Sequence, residues 1–382
     1  MKDKFNICII THPFSSEVVG RSILFNFINS LVRSSNKVFV ITGITMDGIM
    51  REDITFINVS CSKKPLIISI IRYVMAQIKI SVYLISMHKK IDLVILFLNN
   101  TTVLPTIVAK LLGIRIITIV TGSSSKVAKE RQAIYKHTSK YFSRIIQLFE
   151  DINYTLSDNI VVYSQNIINE YNLSKYDKKI IQSYEHFINF NNFKILTSFN
   201  KRDNIVGYVG RLSEEKGIMH FVRSIPIVLK EDPDINFFIV GNGLLWDDII
   251  HELKKSGITD HVKMIGLIPH DNIPVYLNQM KLLVLPSFTE GLPNVIIESM
   301  ACGTPTLATP VGSIPDIIAD TKNGYLLKNN KPGHIAKCIL DALHDTNIDM
   351  ISNNAEKYVK EHFTFENAVE NNKKIVNDIM AT

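Results

Sequence analysis

The chain has 382 residues, of which 46% are hydrophobic and 20% charged, with a formal net charge of +6. That length exceeds one ordinary core and predicts two domains, and the composition excludes a low-complexity or disordered chain. Four cysteines, Cys8, Cys61, Cys302 and Cys338, stand without C-x-x-C spacing, so neither a disulfide framework nor a zinc site is expected, whereas a reducing, cytoplasmic compartment is.

The charge is uneven. Residues 1–190 hold 23 Lys and Arg against 13 Asp and Glu, and residues 191–382 hold 19 against 23. The first half therefore faces something anionic. No basic helix or aromatic-interleaved patch supports nucleic acid, and an anionic membrane surface fits better. The slightly positive mean hydropathy, +0.14, agrees with unusually apolar elements or membrane contact.

In chain order, the start MKDKFNICIITHPF carries too short an apolar run for a signal peptide and reads as a first strand over residues 5–11. A loop, a helix over about 19–33 and a strand at 37–42 follow. This alternation predicts a parallel sheet covered on both faces. Gly20, near the start of the first helix, reads either as a loop glycine or as a point of close backbone approach to a phosphate.

Residues 66–87, LIISIIRYVMAQIKISVYLISM, contain only Arg72 and Lys79 as charges. The length would span a bilayer, but two central cations oppose insertion, at roughly 2.5–3.5 kcal/mol each. Seven residues apart, they share one helix face. Two readings stand: a helix packed on its own sheet with solvated cations, or a helix lying on a membrane surface with a basic stripe at the headgroups.

A strand at 92–97, a helix at about 102–112 and a strand at 115–120 continue the alternation. The loop of Thr121, Gly122 and three serines can line a ligand cleft at a strand's C-terminal end. Strands at 159–163 and about 179–182 close the first half. Asparagine-rich residues 187–204 show no period and read as the connection between domains.

The second series begins with the strand IVGYVG and the motif GRLSEEKG. Arg211 and Lys216 bracket a short loop before a helix N-terminus, which makes a diphosphate clamp. Strands at 235–240 and 262–266 follow, with Gly241-Asn242-Gly243 between them. That G-x-G lacks the third glycine of a dinucleotide fingerprint. The apolar run Leu282–Leu285 then leads into a loop carrying Glu290, a helix starting near Pro293 and ending at Gly303, and a strand at 306–308. Glu290 sits at a strand's C-terminal end, where ligands bind in open α/β sheets. Glu298 lies on the inner face of the helix, and the backbone N–H groups of about Leu292 to Val295 suit a phosphate. Helices at 332–343, 349–360 and 365–380 complete the chain.

Three features in order, G-R-L-x-x-x-K-G at 210–217, EGLPNVIIESMACGTP at 290–305 and VGSIPDII at 311–318, resemble the retaining glycosyltransferases of group 4, the glycosyl transferases group 1 type. The match covers most of 205–330; the first half shares only the layout and Gly20, with SSEVVG where the family usually has a double glycine. The resemblance implies a GT-B fold: two Rossmann-like, doubly wound parallel-sheet α/β domains facing across a cleft. It divides the chain into an acceptor-side domain (1–190), a linker (191–204), a nucleotide-sugar domain (205–364) and a C-terminal helix (365–382) crossing back to the first domain.

By the same resemblance, Arg211 and Lys216 hold the donor diphosphate, Glu290 meets the sugar hydroxyls near the reacting carbon, and Glu298 binds the ribose hydroxyls. Gly210, Gly291, Leu292, Pro293, Asn294 and Val295 line the donor site, with Gly20, Thr121 and Gly122 from the first domain. Thr121 stands where the family commonly has a histidine. A threonine can donate to a hydroxyl but carries no charge, and His12 in the first loop is a candidate for the same cleft. No D-x-D stands in a metal-binding context, so no metal and no cofactor are implied beyond a UDP- or GDP-sugar donor.

The expected activity is retaining transfer of a sugar to a glycan or lipid-linked acceptor in cell-surface polysaccharide or glycolipid synthesis, in the cytoplasm or peripherally on the inner face of the cytoplasmic membrane. A non-hydrolysing sugar-nucleotide epimerase of the same architecture needs a carboxylate pair in the first domain, where none is clear. A catalytically weak nucleotide-sugar-binding protein has only Thr121 in its favour.

Overall fold

The computed structural model describes residues 4–13, 17–44, 51–59, 66–97, 99–120, 122, 124–125, 140–184 and 186–381. The chain divides into two units, residues 1–186 with 365–382, and residues 187–364.

The first unit begins β1 (Phe5–Ile10), α1 (Glu17–Val32), β2 (Ser35–Thr42), β3 (Ile54–Asn58), α2 (Leu66–Met87), β4 (Leu93–Leu96), α3 (Val103–Leu111) and β5 (Arg115–Val120). It continues through α4 (Lys140–Leu156), β6 (Asn159–Val162), α5 (Gln165–Glu170) and β7 (Ile180–Gln182). All seven strands are parallel in the order β3-β2-β1-β4-β5-β6-β7. Strands buried on both faces carry continuous apolar runs, and β4, LVIL, is buried at every position. On one side, Ile80 and Leu84 of α2 and Ala109 of α3 join Cys8, Ile10, Val94 and Ile116 in a single core. Long and apolar enough to cross a membrane, α2 is nevertheless seated on this sheet, each fully buried Ile or Leu contributing about 1.5–3 kcal/mol.

The second unit contains β8 (Ile205–Val209), α6 (Ile218–Glu231), β9 (Asn236–Val240), α7 (Trp246–Lys255), β10 (Val262–Gly266), α8 (Ile273–Leu277) and β11 (Leu282–Leu285). Then come α9 (Asn294–Ala301), β12 (Thr306–Ala308), α10 (Ile314–Ile317), β13 (Tyr325–Leu326), α11 (Pro332–Leu343) and α12 (Ile348–His362). Its six parallel strands run β10-β9-β8-β11-β12-β13. Connections reverse direction between β8 and β11, so the crevice of this sheet opens at their C-terminal ends. Both units are doubly wound α/β sheets, as the alternation implies.

Residues 187–204 form no strand or α-helix, only a 3₁₀ turn at Phe199–Lys201, as their lack of period suggests, yet they are firmly held within the second unit. The buried Arg202 guanidinium donates to the carbonyls of Thr197, Met280 and Cys302 and to Thr304 Oγ1, and Asn278 Oδ1 accepts from Leu196 N. The last helix, α13 (Phe365–Ala381), packs on α1 in the first unit, where Asn372 Nδ2 donates to Ser30 Oγ at 2.8 Å. The Arg115 guanidinium also donates to the carbonyl of Ile379.

Candidate active site

Two loops of the second unit meet at the switch point. The loop after β8 runs through Gly210 and Arg211 to a 3₁₀ turn, Glu214–Lys216, and Gly217 then opens α6 with φ of 65°. An L side chain resists that conformation, and a Cβ there would sit 2.0 Å from the carbonyl oxygen of Pro286. The glycine thus lets this loop lie against the loop after β11, and Phe288 N donates to Glu215 O at 2.9 Å across the contact. Asn330 Nδ2 holds the second loop from the far side, donating to Pro286 O at 2.8 Å.

This approach brings together two of the three expected catalytic side chains. Lys216 Nζ donates to both oxygens of Glu290 at 2.7 Å, and Ser287 Oγ donates to Oε1 at 2.7 Å. Glu290 is 6% exposed and Lys216 21%, so the pair is largely withdrawn from water. Arg211, the third, points to a different carboxylate: its guanidinium lies 2.7 Å from the buried Glu215. The hydroxyl of the fully buried Tyr208, which burial keeps protonated well above its usual range, donates to Arg211 O at 2.8 Å and braces the loop. Gly210 ends β8, with its N–H on Val240 O.

Glu298 is buried on α9, and His270 Nε2 lies 2.7 Å from its Oε1. That hydrogen bond raises the imidazole's pKa above its ordinary 6.5, against an opposing effect of burial. Phe193 packs on the same ring with centroids 5.2 Å apart. Sequence reasoning missed His270. The available signal was its place in the loop after β10, also at a strand's C-terminal end.

The helix that carries Glu298 begins at Asn294, between the two carboxylates in sequence, with Pro293 extended before it and Leu292 buried. The first N–H groups of a helix have no acceptor within it. Gly291 O accepts from Ser313 N, and the start of the helix includes Val295, half-buried. Three buried polar atoms on these loops, Ser213 Oγ, Asn294 Oδ1 and Ser313 Oγ, have no hydrogen-bond partner among the described residues. Such atoms are rare in folded proteins. Among the described residues no three His, Cys, Asp or Glu side chains gather as a metal site.

The remaining expected residues lie in the first unit. Gly20 is in the first turn of α1. Gly122 accepts from Asn100 Nδ2 at 2.6 Å through its carbonyl, and Thr121 lies outside the described residues. His12, just past β1, stacks on Tyr73 of α2 with centroids 5.2 Å apart, and burial pushes its pKa down to about 4. Around the C-terminal end of β4, Asn99 Nδ2, Asn100 Oδ1, Thr102 Oγ1 and Asn153 Oδ1 are buried without partners among the described residues.

Residues 190–361 match the family model described as glycosyl transferases group 1. Over this span, just under half of the chain, the sequence is similar to the glycosyl transferases group 1 family. An uncharacterized glycosyltransferase of Methanocaldococcus jannaschii is 27% identical over 226 residues, 59% of this chain and 61% of that protein. The capsular polysaccharide biosynthesis glycosyltransferase CapM of Staphylococcus aureus is 26% identical over 240 residues, 59% of this chain and 62% of that protein. The chain thus matches about six tenths of the length of these two relatives.

Among solved structures, sucrose-phosphate synthase from Thermosynechococcus elongatus superposes with a TM-score of 0.76, covering 99% of this chain and 100% of that one at 18% identity. Anabaena HepE in complex with UDP-glucose gives 0.75, covering 98% and 100% at 15% identity. These likenesses carry the fold, and with two all-parallel α/β sheets the fold is GT-B. The group 1 match covers Arg211, Lys216, Glu290 and Glu298.

Proposed function

We propose that the chain is a retaining glycosyltransferase that moves a sugar from a UDP- or GDP-sugar to a glycan or lipid-linked acceptor in cell-surface polysaccharide or glycolipid synthesis. The observation that carries this reading is the Lys216–Glu290 pair at the switch point, beside the start of α9.

The chemistry follows from the groups present. An ammonium has three N–H donors. Two of those on Lys216 face Glu290, and the third serves the diphosphate oxygen that gains charge as the sugar C1–O bond breaks. Arg211 offsets the same charge, so no metal and no cofactor enter the proposal. Glu290 accepts from hydroxyls of the donor sugar, and Glu298, steadied by His270, accepts from the ribose. The acceptor hydroxyl attacks C1 on the face the diphosphate leaves. Its proton passes to the departing phosphate oxygen, and the product keeps the donor's anomeric configuration.

The UDP-glucose complex of HepE supports a UDP-sugar donor, and CapM's role supports a glycan acceptor. The basic first unit supports a place on the inner face of the cytoplasmic membrane. Incubation with UDP- and GDP-sugars tests the reading: nucleotide release that requires an acceptor supports it, whereas conversion of the donor without any acceptor contradicts it.

A further inference from the structure

The outer face of α2 is built the wrong way round for a helix facing water. Ala76, Ile80 and Leu84 are buried toward the sheet, and with them two polar side chains, Gln77 and Ser81. On the side away from them, Ile71, Val74, Ile78, Val82 and Ile85 recur at three- and four-residue steps and are all exposed. A helix that is apolar all round is normally covered all round. The exposed surface also continues sideways: α3 packs on α2, and α4 on α3. Leu104, Ile107 and Leu111 are exposed on α3, Leu111 at 81%, and Ile145 and Leu148 are exposed on α4. Soluble surfaces rarely carry so many neighbouring apolar side chains unless a partner covers them.

Charge decides the partner. From Ile54 to Phe149 the sequence has fourteen Lys and Arg and only two acidic residues, Asp92 and Glu130. Lys79 on α2, Lys89 and Lys90 just past its end, and Arg144 on α4 are exposed and make no ion pair among the described residues. A second copy docking through the same face would set these cations against their own kind, because a two-fold interface is self-complementary. An anionic bilayer matches both properties, with apolar side chains at the acyl boundary and cations among the headgroups.

We infer that the joint outer face of α2, α3 and α4 is a docking surface for an anionic lipid bilayer, with α2 lying in the interface. The surface is wider than one helix, and it requires no donor and no acceptor.

Sedimentation of the full chain with vesicles tests this. Binding to vesicles containing phosphatidylglycerol should exceed binding to phosphatidylcholine alone and should weaken as salt shortens the Debye length from about 10 Å. Lys79→Glu with Arg144→Glu should weaken it roughly thirtyfold or more, at one surface cation's contribution each. Val74→Asp with Val82→Asp should remove it while leaving the melting temperature in place, since both side chains point away from the core. Equal binding to both vesicle types, or undiminished binding by the two double variants, overturns the inference. So does a lipid-free dimer that Val74→Asp with Val82→Asp disperses, because the face then belongs to a second copy. The assay contains no nucleotide sugar, so vesicle binding by a chain that turns over no donor upholds this surface while counting against the proposed transferase.

Discussion

Lys216 Nζ lies 2.7 Å from each carboxylate oxygen of Glu290, a residue 74 positions away in sequence. The contact exists because Gly217 admits the Pro286 carbonyl where a side chain would otherwise stand. Removing one member of a withdrawn pair leaves the other uncompensated, so the pair joins stability to chemistry.

Lys216→Ala should lower kcat by about 10²–10³, the loss of one preorganised donor to the departing oxygen, with a smaller change in donor KM. Glu290 then keeps Ser287 as its hydrogen-bond donor, and the second unit should lose about 3–5 kcal/mol at most. Steady-state kinetics well below both melting temperatures separates the two effects. A fall in kcat that tracks only the unfolded fraction contradicts the catalytic role.

Gly217→Ala should destabilise the second unit by more than about 2 kcal/mol, because alanine is strained at φ of 65° and its Cβ meets a backbone oxygen that no rotamer can move. If the loop after β11 shifts to make room, Glu290 leaves Lys216, and kcat/KM should fall by tenfold or more. Denaturant melts and kinetics of the same variant check both.

His270 makes the second unit depend on pH in one direction. Glu298 raises its folded pKa above 6.5, so the folded state binds the proton more tightly than the unfolded state. The stabilisation is full below about 6.5 and is lost as pH rises through the folded value. His270→Gln should flatten that slope and raise donor KM, because Glu298 loses the partner that steadies it, while kcat changes little. An unchanged donor KM would remove His270 from the donor site.

The first unit should respond to acid with the opposite sign. Burial pushes His12 and His186 down to about 4, so between 6.5 and 4 the unfolded state takes protons that the folded rings refuse. Stability should fall across that window and stay level above it. His186→Asn should shrink the loss on acidification. Thermal melts across the window measure it, and a first unit equally stable at both ends contradicts half-buried rings held neutral.

Much of the fold was legible because parallel strands buried on both faces are continuous apolar runs: β1, β4, β8 and β11 each stand out. β3 did not, since only Ile54 of its five residues is buried, and the two-residue β13 is too short to show a pattern. α4 mixes polar and apolar residues along its length and shows no continuous apolar run in the sequence, although its outer face carries part of the apolar surface. In the site, Lys216 and Glu290 stood out by their place at strand ends, and Glu298 by its place on the inner face of the helix that follows. That Lys216 would grip Glu290, and His270 would hold Glu298, depends on loop approach across 74 and 28 residues, which no local pattern encodes. Arg202 illustrates the same limit, for a guanidinium held by backbone carbonyls leaves no periodic trace.

The most direct test of the central claim is the anomeric configuration of the product. The full chain is given an α-linked UDP-sugar and an acceptor, and the new linkage is read by proton NMR as it forms. The account predicts acceptor-dependent UDP release and an α linkage, both lost together in Lys216→Ala. A β linkage, or turnover that Lys216→Ala leaves intact, would contradict it.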